Sequence, residues 1–210
     1  MRKTLILLTL IAPIALANVQ TKTHLPYSIF GIGELNPKGY SRNLGMGKTG
    51  IATSSALYLN NINPASLHDI DSISFFFDFG LSGNLVTYRN ANKKQSGRDV
   101  NFNNLAMGFK IARNWAASVG ITPFSTVAYK IDALKNVEGS TDVYEAELTG
   151  TGGLSQFYLD QSYVLFKHLS LGMHAAYIFG NVESHETVTY SLFPYTISSD
   201  MTSRLDKVIL

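Results

Sequence analysis

No cysteine occurs among the 210 residues, which removes disulfide frameworks and every thiolate metal site from consideration. Long apolar runs are also missing. The longest, residues 5–16, is broken by Thr9 and Pro13 and is too short for a spanning helix, which takes ~20 apolar residues. Charged residues are few, at 15%, and neither sign dominates. With Arg2 and Lys3 in the leader, 15 of the 17 basic residues remain beside 15 acidic ones. A balanced mature chain has no electrostatic footprint for nucleic acid. The five histidines are scattered, with no pair at metal-ligand spacing, and no nucleophile is set beside a base. Neither a metal, a cofactor nor an enzymatic activity is expected.

What is present begins with an export signal. Arg2 and Lys3 precede the apolar run, and Ala15-Leu16-Ala17 forms a small-x-small cleavage site, so residues 1–17 read as a signal peptide. Residues 18–71 form a polar, glycine-containing preface. Residues 72–210 are rich in Phe, Tyr and Gly and read as strands.

The strands alternate strictly. Ile73, Phe75, Phe77, Phe79 and Leu81 share one face, opposite Ser72, Ser74, Phe76, Asp78, Gly80, Ser82 and Asn84. Leu105, Met107, Phe109 and Ile111 oppose Ala106, Gly108 and Lys110. Trp115, Ala117, Val119 and Ile121 oppose Ser118, Gly120 and Thr122, a pattern expected to continue through Val127, Tyr129 and Ile131. Phe157 to Leu165 and Leu169 to Phe179 repeat it, and weaker candidates lie in residues 143–151. The face opposite the apolar one is small and polar, with isolated Asp78, Lys110, Lys130 and His174. That suits a barrel lumen better than a solvated exterior. Tyr88, Trp115, Tyr163 and Tyr177 near strand ends suit an interfacial girdle.

Tight turns at 112–115 and 166–169 alternate with long polar stretches at 89–99, 133–142 and 181–203, which read as loops. The expected fold is an all-β antiparallel transmembrane barrel with an N-terminal plug. Six strands and the start of a seventh at residue 204 are too few to close around a plug. The chain therefore reads as the N-terminal half of a longer barrel, in the bacterial outer membrane.

Gly45-Met-Gly47-Lys-Thr-Gly50, with Asp69 and Asp71 beyond, matches a dinucleotide fingerprint literally. No strand precedes it at 37–44, so the glycines read as an irregular segment instead. Asp78, Lys110, Lys130 and His174 are candidate polar contacts in the lumen.

Tyr27-Ser-Ile-Phe-Gly-Ile-Gly33, Gly45-Met-Gly47, Asn63-Pro-Ala-Ser66, the 114–124 strand and Thr151-Gly-Gly-Leu-Ser-Gln156 together resemble the long-chain fatty acid outer-membrane transporter family (FadL/TodX), in its Bacteroidetes type. The resemblance covers the mature chain. It implies a 14-stranded barrel with an internal hatch, in which Asn63, Pro64 and Ala65 are hatch residues and Gly45 and Gly47 let the hatch turn. It also implies passive transport of hydrophobic compounds such as long-chain fatty acids. Expected partners are outer-membrane lipid, hydrophobic small molecules and the barrel-insertion machinery. The alternatives are a secretion-associated shuttle of the same fold that binds protein cargo, and a small structural barrel.

Overall fold

A computed structural model describes residues 26–71, 75–89, 94–136, 143–166, 169–190 and 196–209. The expected signal peptide, residues 1–17, lies outside them, as do Ile73 and the turn residues 167–168. The described chain is an antiparallel all-β sheet with a short preface. Its elements are a 3-10 turn at Pro26–Ile29, β1 (Glu34–Leu35), α1 (Ser41–Gly45), a 3-10 turn at Pro64–Asp69, then β2 (Phe75–Arg89), β3 (Lys94–Ala112), β4 (Trp115–Asn136), β5 (Val143–Phe166), β6 (Leu169–Tyr190) and β7 (Thr196–Ile209). Neighbours in sequence are neighbours in the sheet, in the order β2-β3-β4-β5-β6-β7. Among the described residues β2 and β7 do not pair, so the sheet is open, as a portion of a barrel would be.

The chain divides into two compact units. The smaller includes residues 83–101, where Thr87 and Ser96 join their hydroxyls at 3.1 Å across the β2–β3 hairpin. The larger comprises residues 24–82 and 102–210 and holds the preface and most of the sheet.

The strands are longer than their alternation suggests. β4, β5 and β6 span 22, 24 and 22 residues, about twice the ~9–11 needed to cross a bilayer. Of the expected loops at 89–99, 133–142 and 181–203, residues 89, 94–99, 133–136, 181–190 and 196–203 are strand, and the rest lie outside the described residues. The segments at 143–151 and 157–165, read as separate, are the single strand β5, and β7 starts at Thr196 instead of at residue 204. The physical reason is that both sheet faces change character past the apolar band. The backbone ladder continues there, Lys130 opposite Thr149 and Glu147 opposite Thr187, without the apolar-polar rhythm that marks a strand in sequence.

The burial pattern is inverted relative to a water-soluble sheet. Phe77 (61% exposed), Phe157, Tyr163, Leu171 (53%) and Met173 stand open on the outer face, whereas Ala106, Ala116, Ser118, Tyr158 and Ala176 are buried on the inner one. Inner-face residues pack against Tyr40, Leu59, Leu67 and Ile70 of the preface, which supply half of the residues of the apolar core cluster. Trp115, Tyr163 and Tyr177 all face outward and are partly exposed.

One strand changes phase. Pro123 pairs with Ser155 and Ser125 with Leu154, so Phe124 is an extra residue in β4. Pro123 has no N–H to donate, and a bulge is where a strand interior accommodates it. Past Phe124 the odd positions face inward: Val127 and Tyr129 are buried, and the Tyr129 ring lies over Gly150. Val127, Tyr129 and Ile131 therefore do not continue the outer face of Trp115 to Ile121. Lys130 moves to the outer face, where it meets Glu147.

Candidate functional site

The preface folds around its own asparagines. Asn43 accepts from the Tyr40 N–H (3.2 Å) and donates to the Thr49 carbonyl (2.9 Å), and Asn60 donates to the carbonyls of Gly50 (2.7 Å) and Thr53 (3.1 Å). Asn43 and Asn60 are both buried, so an irregular backbone that would otherwise leave groups unpaired is satisfied by side-chain amides. Gly45 is the last residue of α1 and has no special dihedral angle. The turn that follows is made at Gly47 (φ 72°) and Lys48 (φ 66°), in the left-handed region that glycine adopts without a Cβ clash.

Asn63, Pro64 and Ala65 open the second 3-10 turn. The Asn63 side chain caps it by accepting from the Ala65 N–H (3.1 Å) and ties it to the loop by donating to the Ile51 carbonyl (2.8 Å). Pro64 at the first position loses no bond, since that N–H would be orphaned in any case. A capped turn of this kind is rigid, and its Ala65 carbonyl receives the Ser162 hydroxyl of β5 at 3.0 Å. The turn lies directly on β6. A Cβ at Gly172 would sit 2.8 Å from the Pro64 carbonyl carbon and closer still to the Ala65 nitrogen.

The same device recurs across the sheet. Gly80 of β2 leaves room for the Ser41 hydroxyl and Asn104, and Gly108 of β3 leaves room for Leu59. The small residues that alternate along these strands are thus the seat of the preface, which packs on the inner face.

Polar groups complete the attachment. Lys110 of β3 donates to the His68 carbonyl (3.0 Å) and the Ile70 carbonyl (2.9 Å). Near the far end β1 pairs with β4, Leu35 opposite Ser125, beyond the last described β3–β4 pair, Leu105–Ile121. The Asn36 N–H donates to the carbonyl of the bulged Phe124 (2.9 Å), and the Ala128 N–H donates to the Ser28 hydroxyl (3.1 Å). In the middle, the Tyr40 hydroxyl meets the Tyr158 hydroxyl. Burial, and then the neighbouring Tyr158, push the Tyr40 phenol well above its ordinary range, so the plug presents a neutral hydroxyl there.

The four polar residues expected in the lumen do not converge. Asp78 accepts from the Asn104 amide (2.5 Å), Lys110 holds the plug, His174 pairs with Asp160 (2.5 Å) under the Tyr158 ring, and Lys130 is on the outer face. Sequence reasoning missed Tyr40, Tyr158 and Asp160, of which Asp160 is fully buried and also accepts from Ser118 (3.5 Å). The signal was available in β5, where Tyr158, Asp160 and Ser162 interleave with Phe157, Leu159 and Gln161. A large ring and a carboxylate among small residues mark the point where that face is filled.

Replacing Lys110 by methionine keeps the stem but removes the donor from two part-buried carbonyls. Hydrogen bonds from a charged group contribute ~1.5–3 kcal/mol each. The expected outcome is faster proteolysis of residues 66–71 in the folded protein, with Lys110→Arg close to wild type. Equal cleavage rates for both variants would remove Lys110 from the plug's attachment.

Among the described residues no three His, Cys, Asp or Glu side chains could together hold a metal. No helix of the described residues is long and apolar enough to cross a membrane, which says nothing of strands. Compared with known proteins, residues 1–209 match the family model described as BamG. No curated protein and no solved structure matches the chain.

Proposed function

Since the chain belongs to the BamG family, which is associated with the outer membrane, we propose that it is a non-enzymatic, plugged β-barrel component that works beside the machinery assembling other outer-membrane barrels. The family's name supplies the link to that machinery. The observation that carries the plugged-barrel part is the inverted burial of the sheet: a continuous apolar outer face, and an inner face of small residues filled by residues 26–71. An apolar outer band is what lipid requires of strands that cross it. Backbone carbonyls held by Lys110 and Ser162, and the NPA turn seated on Gly172, favour a plug that stays in place during function.

A second reading, passage of hydrophobic compounds such as long-chain fatty acids beside the plug, is favoured by the plug's seat on the inner face, the arrangement the transporter resemblance implies. Affinity isolation of the tagged full-length protein from outer membranes separates the two. Under the first reading it brings down the central barrel of the assembly machinery, and depletion lowers the level of several unrelated barrels together. An unchanged barrel profile with a fall in labelled oleate uptake would replace it with the second.

A further inference from the structure

One histidine of the preface is held at both ring nitrogens. His68 lies in the second 3-10 turn, where its Nδ1 is 2.8 Å from the Ala65 carbonyl oxygen and its Nε2 is 2.9 Å from Asp69 Oδ1. A carbonyl has no proton to give, and neither has an ionised carboxylate. A neutral imidazole carries a single N–H, so it can donate to one of these partners and must turn a lone pair on the other. Only the charged imidazolium donates to both.

Each partner is shared with another part of the fold. The Ala65 carbonyl also accepts from the Ser162 hydroxyl of β5 (3.0 Å), the bond that ties the turn to the sheet. The Asp69 carboxylate also meets the Ser54 hydroxyl, which lies 3.3 Å from the Ser66 carbonyl. His68 thus stands between the wall contact on one side and the loop around Ser54 on the other. Its side chain is 34% exposed, which lets it exchange protons with solvent.

The other charged groups near the turn are engaged away from the ring. Lys110 of β3 donates to the backbone carbonyls of His68 and Ile70, and Asp160 of β5 pairs with His174 of β6. On the inner face β4 brings Ala116 and Ser118, opposite Ser162 and Asp160, and neither titrates. Asp71 follows two residues after Asp69.

We propose that His68 and Asp69 form a proton-operated clasp on the preface, closed when the imidazole is charged and open when it is neutral. The closed clasp holds one proton more than the open one, so its contribution is full on the acid side and is lost as pH rises. Histidine side chains ordinarily change charge between about pH 5 and 8. Above that range one contact fails whichever tautomer forms: a ring protonated at Nε2 repels the Ala65 carbonyl, and one protonated at Nδ1 repels Asp69 and loosens Ser54. The clasp rests on contacts within the preface and not on the membrane reading.

Hydrogen exchange of the full-length protein at about pH 5.5 and about pH 8, with labelling times scaled to the intrinsic rates, reads the opening of residues 63–70 by mass spectrometry. Loss of one charge-assisted hydrogen bond corresponds to about 10-fold more frequent opening. Wild type is expected to open that much more often at the higher pH, His68→Gln to open equally often at both, and His174→Gln to keep the wild-type dependence. Nitrogen-15 NMR of histidine-labelled wild type, with His68 assigned through its backbone, is expected to show both ring nitrogens protonated at the lower pH. Equal opening of wild type at the two pH values overturns the clasp, as does a neutral His68 ring at the lower one. A dependence that persists in His68→Gln, or vanishes in His174→Gln, moves the switch to the Asp160–His174 pair and overturns it as well.

Discussion

Gly172→Val is expected to unseat the plug while leaving the strands paired. The added Cβ would fall within contact distance of the backbone of Pro64 and Ala65, and neither atom belongs to a flexible side chain that could swing away. The turn itself cannot yield easily, because Asn63 caps it and Ser162 holds its carbonyl. Overpacking of a closed contact costs ~1–3 kcal/mol, and more when backbone must move. In the folded protein, residues 50–70 should become open to protease, and the urea midpoint should fall. Gly45→Ala is the matched control, since nothing lies within 4 Å of a Cβ added there, and it should be neutral or slightly stabilising at a helical position. If both variants keep the protease pattern of wild type, the turn is not seated on β6.

Tyr40→Ala should have the larger effect on stability. The Tyr40 side chain is fully buried, packs in the core formed by Leu59, Leu67, Ile70 and Tyr158, and ends on the Tyr158 hydroxyl. Truncating a buried aromatic to alanine costs ~3–5 kcal/mol, through lost burial and the cavity left behind. Tyr40→Phe keeps the ring and leaves only the Tyr158 hydroxyl short of a partner, for ~1–3 kcal/mol. Chemical unfolding of the two variants side by side separates packing from hydrogen bonding. A Phe variant as unstable as the Ala variant would mean that the hydroxyl pair, and not the ring, holds the plug.

Strand existence was legible wherever an open apolar outer face opposes an inner face covered by the preface. Phe75 to Leu81, Met107 to Ile111 and Leu169 to Tyr177 alternate because one face is apolar and the other carries mostly small or polar side chains, with Phe76 the large one that packs on the core. Beyond the apolar band that contrast disappears, so residues 181–190 resemble a loop in sequence and are strand in the fold. The bulge at Phe124 was not legible. Pro123 was its one local sign, and a single extra residue reverses the face of everything that follows it, including Lys130. Of the site, the role of Asn63 as a cap follows from its place before a proline. The partners of Lys110, by contrast, lie about forty residues away in an irregular segment, at His68 and Ile70. No periodicity encodes a contact of that kind.

The extra residue at Phe124 also sets a vertical position. Below it, β4 shows Trp115, Val119 and Ile121 to the outside; above it, Val127 and Tyr129 are withdrawn and Lys130 takes their place beside Glu147. The level at which β4 changes which of its positions face outward is therefore set by a single insertion. Because Asn36, just past β1, donates its N–H to the Phe124 carbonyl, the preface is fixed at that same mark. The switch of outward-facing positions in β4 and the placing of the preface along the sheet share one reference point.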